Sequence, residues 1–256
     1  MLLRMSRKNF IIRRLLIGCL LICFQLGFSE EVVDARTIDF RKMDISCIPG
    51  YKSLDLKIIY EEFSPFDNEI ELCAYFSYLQ DTFNLDTVIE TGTSTGNTSA
   101  FFGFLFDEVH TMEIDVPTFQ KALKNLNPFR NVKVYYGNSP DILRQILPLK
   151  KENRVLFYLD AYFDDESPLI EELELIGKHF QDNCIVVING FKIPDRKDSP
   201  FLHFNGQPCA YDYIKSQIYK IFSSFIVYYI IPKSPNSYGK FVAIPRKRDF
   251  SKGWAQ

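Results

Sequence analysis

From Asp86 onward the chain alternates short apolar runs with amphipathic stretches. Thr87–Glu90, Glu108–Ile114, Val132–Tyr136, Val155–Asp160 and Cys184–Asn189 read as strands, each a brief run bounded by polar breaks. Thr98–Phe106, a stretch after Pro117, Pro140–Ile146 and Pro168–Lys178 read as the helices between them. In the last of these, Leu169, Ile170, Leu173 and Ile176 make one apolar face. Tyr211–Phe222 adds a helix, and Phe225–Ile231 and Lys240–Ile244 add two more strands. Near-continuous apolar strands alternating with helices predict a parallel sheet covered on both faces. The last two strands are joined by a loop of Pro, Ser, Asn and Gly, shorter than the dozen or so residues a parallel crossover requires, so they pair antiparallel. The expectation is an α/β sandwich of three layers, built on a mostly parallel seven-stranded sheet that closes with a C-terminal antiparallel hairpin.

Upstream of residue 84 the pattern is weaker. Ser64-Pro65-Phe66-Asp67 reads as a helix start, and Ile70, Leu72, Cys73, Phe76 and Leu79 follow at near-helical spacing up to about Phe83. Residues 31–53 show little periodicity. At the N-terminus, Arg4, Arg7, Lys8, Arg13 and Arg14 precede an uncharged apolar run from Leu15 to Phe28, and Glu30 and Glu31 follow. A cationic segment before an apolar run of this length predicts a signal peptide cleaved after Ser29, or an uncleaved membrane anchor that leaves the main domain outside. The predicted organisation is therefore a leader over residues 1–29, an extension with one helix over 30–83, and the α/β domain over 84–256.

Composition narrows this only slightly. A chain of 256 residues with 46% hydrophobic and 24% charged residues builds one sizeable domain. Its net charge of -2, without a basic stripe, gives nucleic acid no electrostatic support as a partner. Arg246-Lys247-Arg248 reads as a solvated tail. No pair of the six cysteines is spaced CxxC, which argues against zinc and thioredoxin-like chemistry.

In an open α/β sheet, ligands bind outside the carboxyl ends of the strands, at the switch point. The first strand of the α/β region ends in Val88-Ile89-Glu90-Thr91-Gly92-Thr93-Ser94-Thr95-Gly96. Gly92 and Gly96 let the backbone approach a ligand and turn into a helix whose N-terminus offers free N–H groups. The loop reads E-x-G-x-x-x-G rather than the G-x-G-x-x-G of a dinucleotide fingerprint, which disfavours an oxidoreductase. Glu90 is expected to place negative charge at the mouth of the site, which suits a cation better than a pyrophosphate.

Further matches follow at successive strand ends. They are Thr111-Met112-Glu113-Ile114-Asp115, Gly137-Asn138-Ser139, and Phe157-Tyr158-Leu159-Asp160-Ala161-Tyr162 with Ser167-Pro168-Leu169-Ile170-Glu171-Glu172-Leu173 behind it. In this order they resemble the class I S-adenosylmethionine-dependent methyltransferases, over about residues 84–245. The Leu-Asp-Ala-aromatic run resembles that of a bacterial subgroup. The resemblance implies a Rossmann-like fold and S-adenosylmethionine as cofactor. It implies that Glu90, Gly92, Thr93, Gly96, Glu113, Asn138 and Ser139 form the cofactor site, with Glu113 on the ribose hydroxyls and Asn138 near the adenine amine. It also implies that Asp160 serves as catalytic base. Asp164, Asp165 and Glu166 stand behind Asp160 in the same loop, and His203 is a weaker candidate. Some O-methyltransferases of this fold hold Mg²⁺ with an Asp after strand four and an Asp-Asn pair after strand five. Asn189-Gly190 departs from that pair, so no metal is expected.

The resemblance implies methyl transfer to oxygen or nitrogen of a small-molecule or glycan-type acceptor. The leader conflicts with it, because S-adenosylmethionine is cytosolic. Three arrangements reconcile the two: an internal start at Met43 and a cytoplasmic protein, membrane association through residues 15–28 on the inner face, or an exported, non-catalytic binding domain that keeps the fold.

Overall fold

The computed structural model describes residues 34–44, 46, 61–163 and 165–246. The predicted leader over residues 1–29 lies outside the described residues, as do Asp164 and most of the basic tail. Among the described residues, no helix is long and apolar enough to cross a membrane.

The described residues hold ten strands in chain order: β1 (Asp34–Asp39), β2 (Thr87–Thr91), β3 (Glu108–Glu113), β4 (Val132–Tyr136), β5 (Val155–Leu159), β6 (Cys184–Ile188), β7 (His203–Phe204), β8 (Gln207–Pro208), β9 (Phe225–Ile231) and β10 (Lys240–Pro245). The helices are α1 (Ile70–Phe83), α2 (Asn97–Leu105), α3 (Val116–Leu126), α4 (Ser139–Ile146), α5 (Leu169–His179) and α6 (Tyr211–Ile221). Eight strands form one sheet in the order β1-β9-β10-β6-β5-β2-β3-β4, while β7 and β8 make a separate two-stranded ribbon. β10 runs antiparallel to both β6 and β9, and the remaining pairs are parallel.

The α/β alternation and the C-terminal hairpin follow the expected plan. The strand count does not: the sheet has eight strands rather than seven, because β1 pairs in parallel with the outer edge of β9. The stretch read as an extension thus contributes to the same sheet. β1 escaped the hydrophobic pattern because only Ile38 of its six residues is buried. Asp34, Arg36 and Asp39 are charged, as suits an edge strand that must not recruit another chain. Arg36 pairs with Asp34 and lies 5.8 Å from the ring centroid of Tyr228 on β9.

Alternation along the strands divides the core between two faces. Phe157, Leu159, Val186 and Ile188 point with α4, α5 and α6 into one large apolar cluster. Tyr158 points the other way, into an aromatic group with Phe76 of α1 and Phe102 of α2. All five residues of β2, β5 and β6 are buried; β5 and β6 read as uninterrupted apolar runs, while β2 also buries Thr87, Glu90 and Thr91.

The helix start expected at Ser64 is replaced by a left-handed turn. Ser64, Phe66, Asp67 and Asn68 all have positive φ, between 47° and 68°, and α1 begins only at Ile70. Each such residue costs roughly 1–2 kcal/mol. The turn is held by Phe66, which stacks on Phe76 at 4.9 Å and meets Phe101, Phe102 and Tyr158 edge-on. The buried Glu69 adds to this by accepting the backbone N–H groups of Lys233 and Ser234, at 3.0 and 2.6 Å.

Candidate functional site

The chain leaves β2 toward β3 and leaves β5 toward β6, so a crevice opens between the carboxyl ends of β2 and β5. A cleft of about 730 Å³ occupies this position. Of the sequence-predicted residues, Gly92, Glu113, Asn138, Ser139 and Asp160 line it, while Glu90, Thr93 and Gly96 do not.

Gly92 has φ +85°, and a Cβ there would lie 2.6 Å from the Asp160 carbonyl oxygen. Its lack of a side chain therefore lets the tips of β2 and β5 meet. Gly96 has φ +90° and faces Leu126 of α3, where a Cβ would come within 2.9 Å. It shapes the entry to α2 and packs that entry against α3. Thr93 turns inward, with its hydroxyl 2.7 Å from that of Thr111.

Glu90 corrects an expectation. Instead of standing at the mouth of the site, it is 1% exposed, beneath the loop. The hydroxyls of Ser99 and Thr111 both donate to its Oε2. Burial pushes its pKa up to about 8, against the pull of those two donors, so it is mostly neutral at pH 7. Glu90 thus ties β2 to α2 and β3, and the charge in the cleft comes from elsewhere.

Glu113, at the tip of β3, contributes to that charge. Its Oε1 accepts the N–H groups of Ile114 and Asp115, each at 2.9 Å, and its Oε2 accepts that of Ser94 at 2.9 Å. Three backbone donors from two loops fix the carboxylate, and the remaining lone pair on Oε2 is left for the cleft. Asn138 precedes α4, and its side chain makes no cap to that helix. Ser139 is buried and donates to Glu172 of α5. Glu172 is itself buried, with a pKa pushed up to about 7 by desolvation.

Asp160 follows β5, and its Oδ1 accepts the Asn189 amide at 2.7 Å. Desolvation raises its pKa to about 7, opposed by the Asn189 hydrogen bond and by the charge of Lys240, and reinforced by Asp67. Lys240, at the start of β10, is 2% exposed and donates to the Tyr238 carbonyl at 2.8 Å; burial lowers its pKa. A carboxyl group poised near neutrality in a cleft is suited to take a proton.

The structure adds residues that the sequence pattern did not single out. Asp67 reaches the cleft from the left-handed turn, and Tyr238 from the loop before β10. Lys240 carried a faint signal as a charge opening an apolar strand, whereas Asp67 carried none. Glu166 lines the cleft, but His203 and Asp165 do not. The described lining includes the carboxylates of Asp67, Glu113, Asp160, Glu166 and Glu171 and no Lys, Arg or His. Among the described residues, no group of three or more His, Cys, Asp or Glu side chains is arranged to hold a metal ion.

The sequence matches no protein-family model and no curated protein. Solved structures do resemble it. An O-methyltransferase from Bacillus cereus in complex with S-adenosylhomocysteine superposes with a TM-score of 0.51 at 15% identity, over 76% of this chain and 92% of that one. A candidate O-methyltransferase from Klebsiella pneumoniae superposes with a TM-score of 0.51 at 14% identity, over 78% and 92%. At these identities the likeness shows a shared α/β Rossmann-like fold, the one the strand-end residues implied.

Proposed function

We propose that this chain is an S-adenosylmethionine-dependent methyltransferase acting on oxygen or nitrogen of a small acceptor. The observation that carries this reading is Glu113, a carboxylate held by three backbone N–H groups at the tip of β3 and facing a cleft at the switch point. A carboxylate fixed in place at the tip of the second strand of the α/β unit, with an acceptor site left on Oε2, suits a ribose hydroxyl. The sign of the cleft selects among nucleotides: a described lining of carboxylates with no basic side chain repels a pyrophosphate and favours a sulfonium. The relatives in fold support the same cofactor, since the Bacillus cereus enzyme holds S-adenosylhomocysteine.

Gly92, Glu113, Asn138 and Ser139 would hold the nucleoside and its amino-acid tail, and the sulfonium supplies an already activated methyl group. The protein's own task is then to orient an acceptor and remove its proton, for which effective molarity and a base suffice. Asp160 is that base. Its position in the cleft and its near-neutral pKa favour catalysis over ligand binding alone.

A crystal grown with S-adenosylhomocysteine tests the assignment. The expected result is both ribose hydroxyls within hydrogen-bond distance of Glu113 and the adenine beside Asn138. A nucleoside bound elsewhere, or Glu113 turned away from it, would contradict the reading.

A further inference from the structure

The cleft divides along the sheet. One half stands on the tips of β2, β3 and β4, with Gly92, Glu113 and Asn138, and fits the nucleoside. The other stands on the tips of β5 and β6 and the approach to β10, with Asp160, Asn189 and Tyr238, and Asp67 enters it from the left-handed turn. An acceptor must occupy this second half to meet the methyl group.

The chemistry of that half is one-sided. Asp67, Asp160 and Glu166 supply carboxylates, and Tyr162, Phe163 and Tyr238 supply aromatic surface. Tyr162 and Phe163 are 46% and 68% exposed, so their rings are open to a ligand. Lys240 lies buried beneath this half, donates to a backbone carbonyl and acts on both Asp160 and Asp67, so one buried cation stands against three carboxylates. A second observation points to a donor-bearing ligand. Asn189 is only 8% exposed; its Nδ2 donates to Asp160, and its Oδ1 has no hydrogen-bond partner among the described residues.

We infer that the acceptor is an amine that arrives as its ammonium ion and is methylated on nitrogen, held by Asp67 and Asp160 beside the rings of Tyr162 and Tyr238. This rests on the methyltransferase reading and narrows it. An anionic acceptor meets mainly like charge on the described lining here. A neutral hydroxyl acceptor leaves Asp67 and Asp160 repelling each other with only the buried Lys240 against them, whereas an ammonium relieves that repulsion and gains from the aromatic faces. In the reaction, the Asp160 carboxylate takes one proton from the ammonium. The freed nitrogen lone pair then attacks the sulfonium methyl carbon. The N–C bond forms as the S–C bond breaks, and its electron pair stays on sulfur. The products are the N-methylated ammonium and the neutral thioether, and Asp160 passes its proton to water.

The test uses the full chain saturated with S-adenosylhomocysteine and three probes on one skeleton: benzylamine, benzyl alcohol and benzoate. Binding is followed by ligand-detected NMR titration. Benzylamine is expected to bind about ten-fold tighter than benzyl alcohol, with benzoate weakest. Asp67→Asn, which keeps a left-handed backbone that Asn tolerates, is expected to erase most of the gap between amine and alcohol. Equal affinity for amine and alcohol, preference for benzoate, or a gap unchanged in Asp67→Asn overturns the amine proposal while cofactor binding stands. Failure of the full chain to bind S-adenosylhomocysteine at all overturns both.

Discussion

At the residue scale, three carboxylates of similar type serve different ends because their surroundings differ. Glu113 is fixed by backbone donors at the rim of the cleft, so Glu113→Ala is expected to weaken S-adenosylhomocysteine binding by about ten-fold or more while leaving thermal stability nearly unchanged. Calorimetric titration and a melting curve on the same sample separate the two effects. Asp160 is a base whose pKa is raised to about 7. Its ionised fraction grows with pH, so methyl transfer should rise through about pH 7 and level off above it. Asp160→Asn should lose about a hundred-fold in rate and the pH dependence with it. A pH profile of the variant that keeps the same inflection would assign the base elsewhere. Gly92 is needed for a different reason from the one its motif suggests. A side chain there meets the Asp160 backbone, and φ is +85°, so Gly92→Ala should lower stability by roughly 1–3 kcal/mol as well as weaken binding.

The sequence made these residues visible but not their directions. Glu90, Gly92 and Gly96 sit in one motif, yet only Gly92 lines the cleft. Strand alternation sends Glu90 under the loop, and spacing alone does not show where the strand stops and the loop begins. At neutral pH the buried Glu90 also acts on stability. Its folded pKa of about 8 lies above its ordinary value of 4.5, so the folded state binds the extra proton between those limits. Stability therefore falls as pH rises through that window. Glu90→Gln, which retains an acceptor for Ser99 and Thr111, should flatten that fall. A variant whose denaturation free energy depends on pH as the wild type does would show that Glu90 is not the titrating group.

At the scale of elements, legibility followed burial. β2, β5 and β6 are buried along their whole length, and their ends could be read to about a residue, β5 and β6 from apolar runs and β2 from the motif that follows it. The amphipathic helices α5 and α6 were equally plain. β1 was not, because an edge strand with one buried residue carries no period. The turn before α1 was misread because Ser64-Pro65 followed by an acidic residue imitates a helix start. What decides the geometry there is Phe66, whose ring fills an aromatic group formed by residues distant in sequence. Phe66→Ala should cost about 3–5 kcal/mol by chemical denaturation. Since Phe66 holds the backbone of Asp67, the variant should also lose acceptor binding before cofactor binding.

At the scale of the whole molecule, the sheet order places the nucleoside and acceptor halves of one cleft on opposite sides of the switch between β2 and β5. Net charge over the chain is only -2, so the acidity of the cleft is local rather than a property of the surface at large. That local field separates a sulfonium nucleoside from a dinucleotide. The most direct measurement is isothermal titration of the purified chain with S-adenosylhomocysteine and, in parallel, with an oxidised nicotinamide dinucleotide. The account predicts micromolar binding of the thioether nucleoside and no heat from the dinucleotide. A chain that binds the dinucleotide, or that leaves S-adenosylhomocysteine unbound at millimolar concentration, would contradict it.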